Sequence, residues 1–176
     1  HEEWKYTNLK PILKHDYRIF PKDDKTVDFS EIKHLFLNDV DTYKLVFIDG
    51  FYSSWLSETT HHGFDICTFS NMLAKYQDVA EEYFTKALPK DDPLAAVNTA
   101  FAKEGAFIRV KKGQTVEKPI EIIFITTDHG VETMSQPRNL IVVEENAEVS
   151  IIERHQSLSD QAVLTNTATE IFAKRD

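Results

Sequence analysis

PRNLIVVEENAEVSIIERHQS, residues 137–157, decides how the chain folds. Its two apolar runs, Leu140-Ile141-Val142-Val143 and Val149-Ser150-Ile151-Ile152, flank the polar stretch Glu144-Glu145-Asn146-Ala147-Glu148, which has no helical period. Both runs are rich in β-branched residues, which fit a pleated surface, and both are too short for a typical globular helix. The stretch therefore reads as strand, turn, strand.

Working outward, the same texture fills the chain beyond Gly105. Strand-like runs occur at residues 106–110, 120–126, 140–143, 149–154 and 165–172, with Lys112-Gly113-Gln114 and Asp128-His129-Gly130 as turns. Their spacing is uneven, so no tight repeat announces a solenoid. Pattern alone leaves a β-helix, a jelly roll and a sandwich open.

Before Gly105 the chain is mixed. Residues 43–56 read as a hairpin, because Asp49-Gly50 favours the φ > 0 geometry of a two-residue turn. A short apolar run at residues 64–69 could add a third strand. A helix can start at Ser70 or Asn71, with Leu73, Tyr76, Val79, Ala80, Tyr83, Phe84, Ala87 and Leu88 repeating at three and four residues up to Pro89. Asp92 can cap a second helix with Pro93 at its first position, an apolar stripe of Leu94, Val97, Ala100 and Phe101, and Gly105 ending it in the left-handed conformation. A short helix capped by Ser30, with Ile32, Leu35 and Phe36 on one face, fits residues 29–37. Residues 1–26 are irregular by pattern, their aromatics, Trp4 and Tyr6 among them, supplying simple terminal packing.

A formal charge of −9 works against affinity for nucleic-acid backbones and anionic membranes, which comes from clustered Lys and Arg. One cysteine, Cys67, rules out an intramolecular disulfide framework and argues against a cysteine-held metal site within one copy. No run of 18 or more apolar residues is present to span a bilayer, and a reducing cytoplasm fits. The chain begins at His1 and ends at Asp176 directly after a strand-like run, which suggests a fragment of something longer.

Catalytic signals are weak. Dinucleotide, P-loop, zinc-protease and nucleophile-elbow patterns are all missing. Glu153 and His155 would share one face of a strand, where the carboxylate could orient the imidazole, but alternating polar residues on a strand are ordinarily its solvent face. Arg138 reads as a strand-end charge in preference to a partner-binding guanidinium. Adjacent His61 and His62 read as loop histidines, because neighbouring side chains diverge.

At these residues the chain resembles a known family. Asp92-Pro93-Leu94-Ala95-Ala96-Val97-Asn98-Thr99-Ala100-Phe101, Gly105, Pro119-Ile120, Pro137-Arg138-Asn139-Leu140-Ile141, Glu153-Arg154-His155-Gln156-Ser157 and Thr165-Asn166-Thr167-Ala168-Thr169-Glu170-Ile171 are similar, in this order, to the SufB/SufD family of the SUF iron–sulfur cluster assembly system. The opening Trp4-Lys5-Tyr6-Thr7 and the hairpin segment from Leu45 to Phe51 resemble the SufD member in particular, and the single cysteine leans the same way. The resemblance implies an α+β N-terminal domain, residues 1–104, followed over residues 105–176 by the first turns of a right-handed single-stranded β-helix. It implies a non-catalytic scaffold subunit with SufB and SufC as partners of the full-length protein. An iron–sulfur cluster and a reduced flavin belong to the assembled complex, with neither cofactor in this fragment. The late β-helix and the SufC-docking domain are not in the sequence, so no functional residue of the family carries over to it. An open β-helix end, with residues 120–125 poorly covered, would make the fragment self-associate. A rival from another class is a metal- or small-molecule-binding cupin-like or β-helix enzyme domain with His155, Glu153 and His129 around a metal. A carbohydrate-binding module is weaker still, because most aromatics precede residue 102.

Overall fold

The structure is a computed structural model and describes residues 8–19, 27–59 and 63–175. The stretches holding Trp4, Tyr6, His61 and His62 lie outside them. In chain order the elements are α1 (Lys10–Leu13), β1 (Arg18–Ile19), α2 (Phe29–Ile32) with a 3-10 turn at Lys33–Leu35, β2 (Tyr43–Ile48), β3 (Phe51–Tyr52) and β4 (Phe64–Thr68). Then come α3 (Phe69–Lys75), α4 (Gln77–Tyr83), α5 (Pro93–Phe101), β5 (Ala106–Val110), β6 (Ile120–Thr126), β7 (Thr133–Ser135), β8 (Arg138–Val143), β9 (Ile151–Ser157), β10 (Val163–Thr165) and β11 (Ala168–Ala173). The fold is mixed α and β, with open sheets.

Local chemistry sets the early elements. Asp49 and Gly50 take φ of 52° and 83°, and the hairpin closes there as the dipeptide predicts. Its second strand stops at Tyr52, because Ser57 Oγ takes over the amide of Val46 at 2.8 Å. The run at 64–69 does form a strand, but β4 pairs antiparallel with β5 instead of extending the hairpin. Asp28, not Ser30, caps α2, accepting from the amide of Ser30 at 2.8 Å. The irregular N-terminal stretch also contributes α1 and the two-residue β1, which is too short to carry a periodic signal.

The long helix expected over residues 70–88 is two helices. Thr68 caps the first, and the chain breaks at Tyr76, whose φ and ψ are −129° and 52°. The Tyr76 ring lies 5.3 Å from that of Phe107. The break lets Phe69 and Met72 of α3 and Val79 and Tyr83 of α4 all meet Phe107, Leu140 and Val142 on one sheet face. Packing against the sheet overrides the helical period.

Asp92 caps α5 as expected, accepting from the amides of Leu94 at 2.7 Å and Ala95 at 3.1 Å. The apolar stripe of that helix is not core: Val97 and Phe101 are 36% and 46% exposed, and the buried residue is Asn98. The helix sits on loop backbone, whose carbonyls need a donor. Gly105 does not adopt a left-handed conformation either. Its missing side chain is what matters, because a Cβ there would overlap the backbone carbonyl of Arg138.

Three sheets organise the second half, with strand orders β1-β7-β10, β11-β8-β5-β4 and β3-β2-β6-β9. Every pairing is parallel except the hairpin and β4 with β5. The strands joined by residues 144–148 therefore do not pair with each other; β8 and β9 belong to different sheets and the connection is a corner. Phe107 lies beside Leu140, Ile120 beside Ile151, and Thr133 beside Val163, so the chain revisits each sheet after roughly thirty residues. This periodicity lives in register, and the short β7 and β10 that complete it are invisible to apolar pattern. Strands from before Gly105 join in: β2 pairs with β6, and β4 with β5.

Leu45, Phe47, Ile66, Ala106, Ile108, Val110, Ile120, Ile122, Phe124 and Ile141 fill the space between the two larger sheets. Contrary to the expectation for residues 120–125, β6 is central, and Ile120, Ile122 and Ile123 are fully buried. The sheet edges are β1 and β10, β11 and β4, and β3 and β9, of which β9, β10 and β11 form the C-terminal end of the stack.

Gly105→Ala should lower stability by about 3 kcal/mol through forced backbone displacement, which corresponds to a fall of roughly 6–12 °C in Tm for a chain of this size. Thermal unfolding followed by circular dichroism checks this, and a shift under 2 °C would mean that the junction relaxes freely.

Candidate functional site

The sequence singled out Glu153, His155, His129 and Arg138, and each occupies a definite place. On β6, Ile120, Ile122 and Phe124 point into the core, and their registered neighbours on β9 are Ile151, Glu153 and His155. Register puts the pair on the side of β9 that continues the core face of β6, yet both residues are exposed there, as the alternation suggests. The His155 ring stacks on Phe124 at 5.0 Å and 10°, Phe124 stacks on Phe47 at 4.9 Å and 19°, and Phe47 lies 6.1 Å from Tyr52. This ladder of rings runs across the sheet and ends at His155. The pair is part-exposed because β9 is an edge strand.

Glu153 is well held. Its Oε1 lies 2.9 Å from Nε2 of His155, and its Oε2 accepts from Asn139 Nδ2 at 3.2 Å and Thr169 Oγ1 at 3.1 Å. Asn139 in turn accepts from the amide of Ala106 at 2.8 Å. Burial pushes the carboxyl of Glu153 up, but the hydrogen bonds from His155, Thr169 and Asn139 together outweigh it and hold it below the ordinary range.

The outward faces carry two guanidinium–carboxylate clasps. Arg154 Nη1 donates to Glu121 at 2.9 Å and to the carbonyl of Leu35 at 2.6 Å, while Thr42 Oγ1 donates to the same carboxylate at 3.1 Å. Arg138 is fully buried, pairs through Nη2 with Glu170 and lies 4.8 Å from the centre of the Phe84 ring. Glu170 also accepts from the amides of Thr85 at 2.9 Å and Ala87 at 2.8 Å, fixing the chain after α4. Burial lowers the pKa of Arg138, with Glu170 opposing it. Arg138 opens β8, so it is the strand-end charge expected, but it is buried and not free for a partner; it is an internal tie between β8, β11 and the α4 exit.

His129 belongs elsewhere. Its Nε2 lies 3.0 Å from Asp49 and 3.1 Å from Thr127 Oγ1, and its side chain is 4% exposed. Thr127 donates to Asp49 from its amide at 2.7 Å and its hydroxyl at 2.6 Å. Asp49, legible in the sequence only as a turn residue, is the acceptor that joins the hairpin tip to the loop after β6. His129 and the Glu153–His155 pair are held in separate clasps. Among the described residues no group of three His, Cys, Asp or Glu is gathered as a metal would need. Cys67 on β4 is half-buried, and burial pushes its thiol up to about 11, away from the thiolate form that binds metals. This donor set does not fit an iron–sulfur cluster.

Asn98 was missed as a functional position, yet it joins the segments. Its Nδ2 donates to the carbonyls of Pro137 and Asn166, both at 2.7 Å, and Asn166 Nδ2 returns a bond to the carbonyl of Leu94 at 2.9 Å. An asparagine on an otherwise apolar helix face was the available signal. What the arrangement does chemically is to satisfy the corner carbonyls of Pro137 and Asn166 on successive passes of the chain.

Comparison with known proteins gives concordant matches. Residues 1–122 match the family described as SufBD protein N-terminal region, and residues 124–176 match the SUF system FeS cluster assembly, SufBD core domain. An iron–sulfur cluster assembly SufBD family protein of Synechocystis is 26% identical over 97% of this chain and 40% of its own length. SufD of Escherichia coli is 25% identical over 91% of this chain and 35% of its own length. SufB of Bacillus subtilis is 37% identical over 46% of this chain and 17% of its own length. The chain spans less than half the length of these relatives.

The lowered pKa of Glu153 predicts a pH dependence. Its contribution to stability is present above the ordinary carboxylate value of 4.5 and is lost as pH falls through the lower folded value. Glu153→Gln should therefore flatten the acid limb of stability below pH 4.5 and leave its slope near neutrality unchanged. Denaturant unfolding across pH 2.5–7 measures this, and an unchanged acid limb would refute it.

Proposed function

The chain belongs to the SufBD family of SUF-system iron–sulfur cluster assembly proteins, and from that membership we propose that it is the N-terminal part of a SufD-like scaffold subunit. On this reading it performs no chemistry and holds neither cluster nor flavin of its own. One observation carries it: the polar residues at the family-like motifs are partners of one another, through Asn98, Arg138, Asn139, Glu153, Asn166 and Glu170, and are not aimed into an open pocket. Such a network stabilises a framework.

The breadth of the SufD match, 91% of this chain against 46% for SufB, supports the SufD-like assignment. Parallel pairing with a return to each sheet supports a β-helix over the antiparallel jelly roll and sandwich. We assign residues 105–176 to its first, right-handed turns and residues 1–104 to the N-terminal domain, with β2 and β4 as its contribution to the sheets. SufB and SufC are the proposed partners, engaged through segments after residue 176, and the compartment is the cytoplasm. Among the described residues no helix is long and apolar enough to cross a membrane.

Anaerobic reconstitution of this chain with iron and sulfide, followed by desalting and absorption spectroscopy, should leave no stoichiometric chromophore. A stable cluster would overturn the scaffold assignment. The edges β9, β10 and β11 and the 61% exposed Ile171 should drive self-association of this chain in isolation. Light scattering should give a mass that rises with concentration, and a constant monomer mass would show that the edges are blocked.

A further inference from the structure

Most of the buried polar side-chain atoms that lack a partner among the described residues gather at one junction, on Asn98, Glu104, Gln136, Arg138 and Thr167. Short bonds hold the junction together. Asn98 reaches the carbonyls of Pro137 and Asn166, Asn166 reaches Gln136, and the amide of Arg138 reaches the carbonyl of Glu104 at 3.1 Å. Buried donors and acceptors are nearly always paired, with protein or with ordered water, so such a cluster calls for a bound partner.

Gln136, only 3% exposed, shows which partner that is. Asn166 Nδ2 donates to the carbonyl of Leu94 at 2.9 Å, which fixes that amide nitrogen as a donor. Gln136 must therefore present Oε1 to it, and does so at 2.6 Å. The Nε2 of Gln136 is left as a buried donor with no acceptor among the described residues. An unmet buried N–H carries the full cost of its desolvation.

Gln136 lines a cavity of about 10 Å³ together with Gly50, Lys103, Glu104, Phe124 and Pro137. That is the room one water molecule needs. The lining also offers an acceptor. The carbonyl of Pro137 already takes bonds from Asn98 at 2.7 Å and from the amide of Ala168 at 3.0 Å. Glu104, by contrast, commits Oε1 to Ser70 at 2.8 Å and keeps Oε2 without a donor. A donor and an acceptor around one water-sized space suit a molecule that both accepts and donates. A cation would face the N–H of Gln136, and an anion would face the carboxylate of Glu104. A cavity of the same size beside Asp49 and Thr126 has no orphan atom in its lining.

We propose that the cavity at Gln136 is a binding site for one internal water, which accepts from Nε2 of Gln136 and donates to Oε2 of Glu104. The water joins the segment that follows α5 to the segment that enters β8, beside the approach of Gly105 to Arg138. It is part of the fold, whatever partner the chain docks.

A crystal structure at a resolution that shows ordered solvent tests this. It should show a single peak within about 3.2 Å of both atoms. In solution, the side-chain amide of Gln136 should give a nuclear Overhauser cross-peak to water of the sign that marks a long-lived bound molecule. Gln136→Met, of similar length and without the donor, should lose the peak in the map. If that variant does not fold, the map and the cross-peak of the unaltered chain decide. A cavity without density, a Gln136 amide bonded directly to Glu104, or a peak ringed by short oxygen contacts as a metal ion is would overturn the proposal. A peak that persists in Gln136→Met would overturn it too.

Discussion

The close approach of Gly105 to Arg138 is the constraint on which the architecture rests. The amide of Arg138 donates to the carbonyl of Glu104 at 3.1 Å, and the carbonyl of Gly105 accepts from Phe69 at 2.8 Å. Only a residue without a side chain lets these backbones meet, and from that point β5 runs parallel to β8 with Phe107 beside Leu140. The same junction delivers α3 onto the outer face of the sheet. Asn98 then holds α5 across two successive corners, at Pro137 and Asn166, with one amide group. Backbone carbonyls at corners have no strand partner, so a side-chain donor must satisfy them or they carry a desolvation penalty.

The charged clasps act on register. Arg138 with Glu170 and Glu121 with Arg154 each join neighbouring parallel strands, on faces that are covered. Burying ions costs solvation, so such pairs contribute little net stability against an apolar pair of similar size. Their effect is selective, because a slip of one residue would put each guanidinium on the opposite face of its strand and leave its carboxylate buried alone. The ring ladder from Tyr52 through Phe47 and Phe124 to His155 does the same work on the inner face.

This arrangement changes what Glu153 and His155 mean. Two titratable groups on one strand face invite a catalytic interpretation, yet Glu153 spends both oxygens on His155, Asn139 and Thr169. A carboxylate so engaged orients its neighbours. His129, engaged with Asp49 and Thr127, is likewise a tie.

Local chemistry made much of this chain legible from its sequence: the Asp49-Gly50 turn, the Asp92 cap, the strands at 106–110 and 120–126, the ordered motifs that gave the family. Each is set by residues close together in the chain, through backbone preference, capping or β-branched packing. Tertiary structure alone decided the rest. The break at Tyr76 follows from the sheet face beneath α3 and α4, the role of Gly105 from a backbone 33 positions further on, and the direction of Glu153 and His155 from the strand that β9 pairs with. Parallel partners are separated by a whole circuit of the chain, and no short window of sequence contains both members of such a pair.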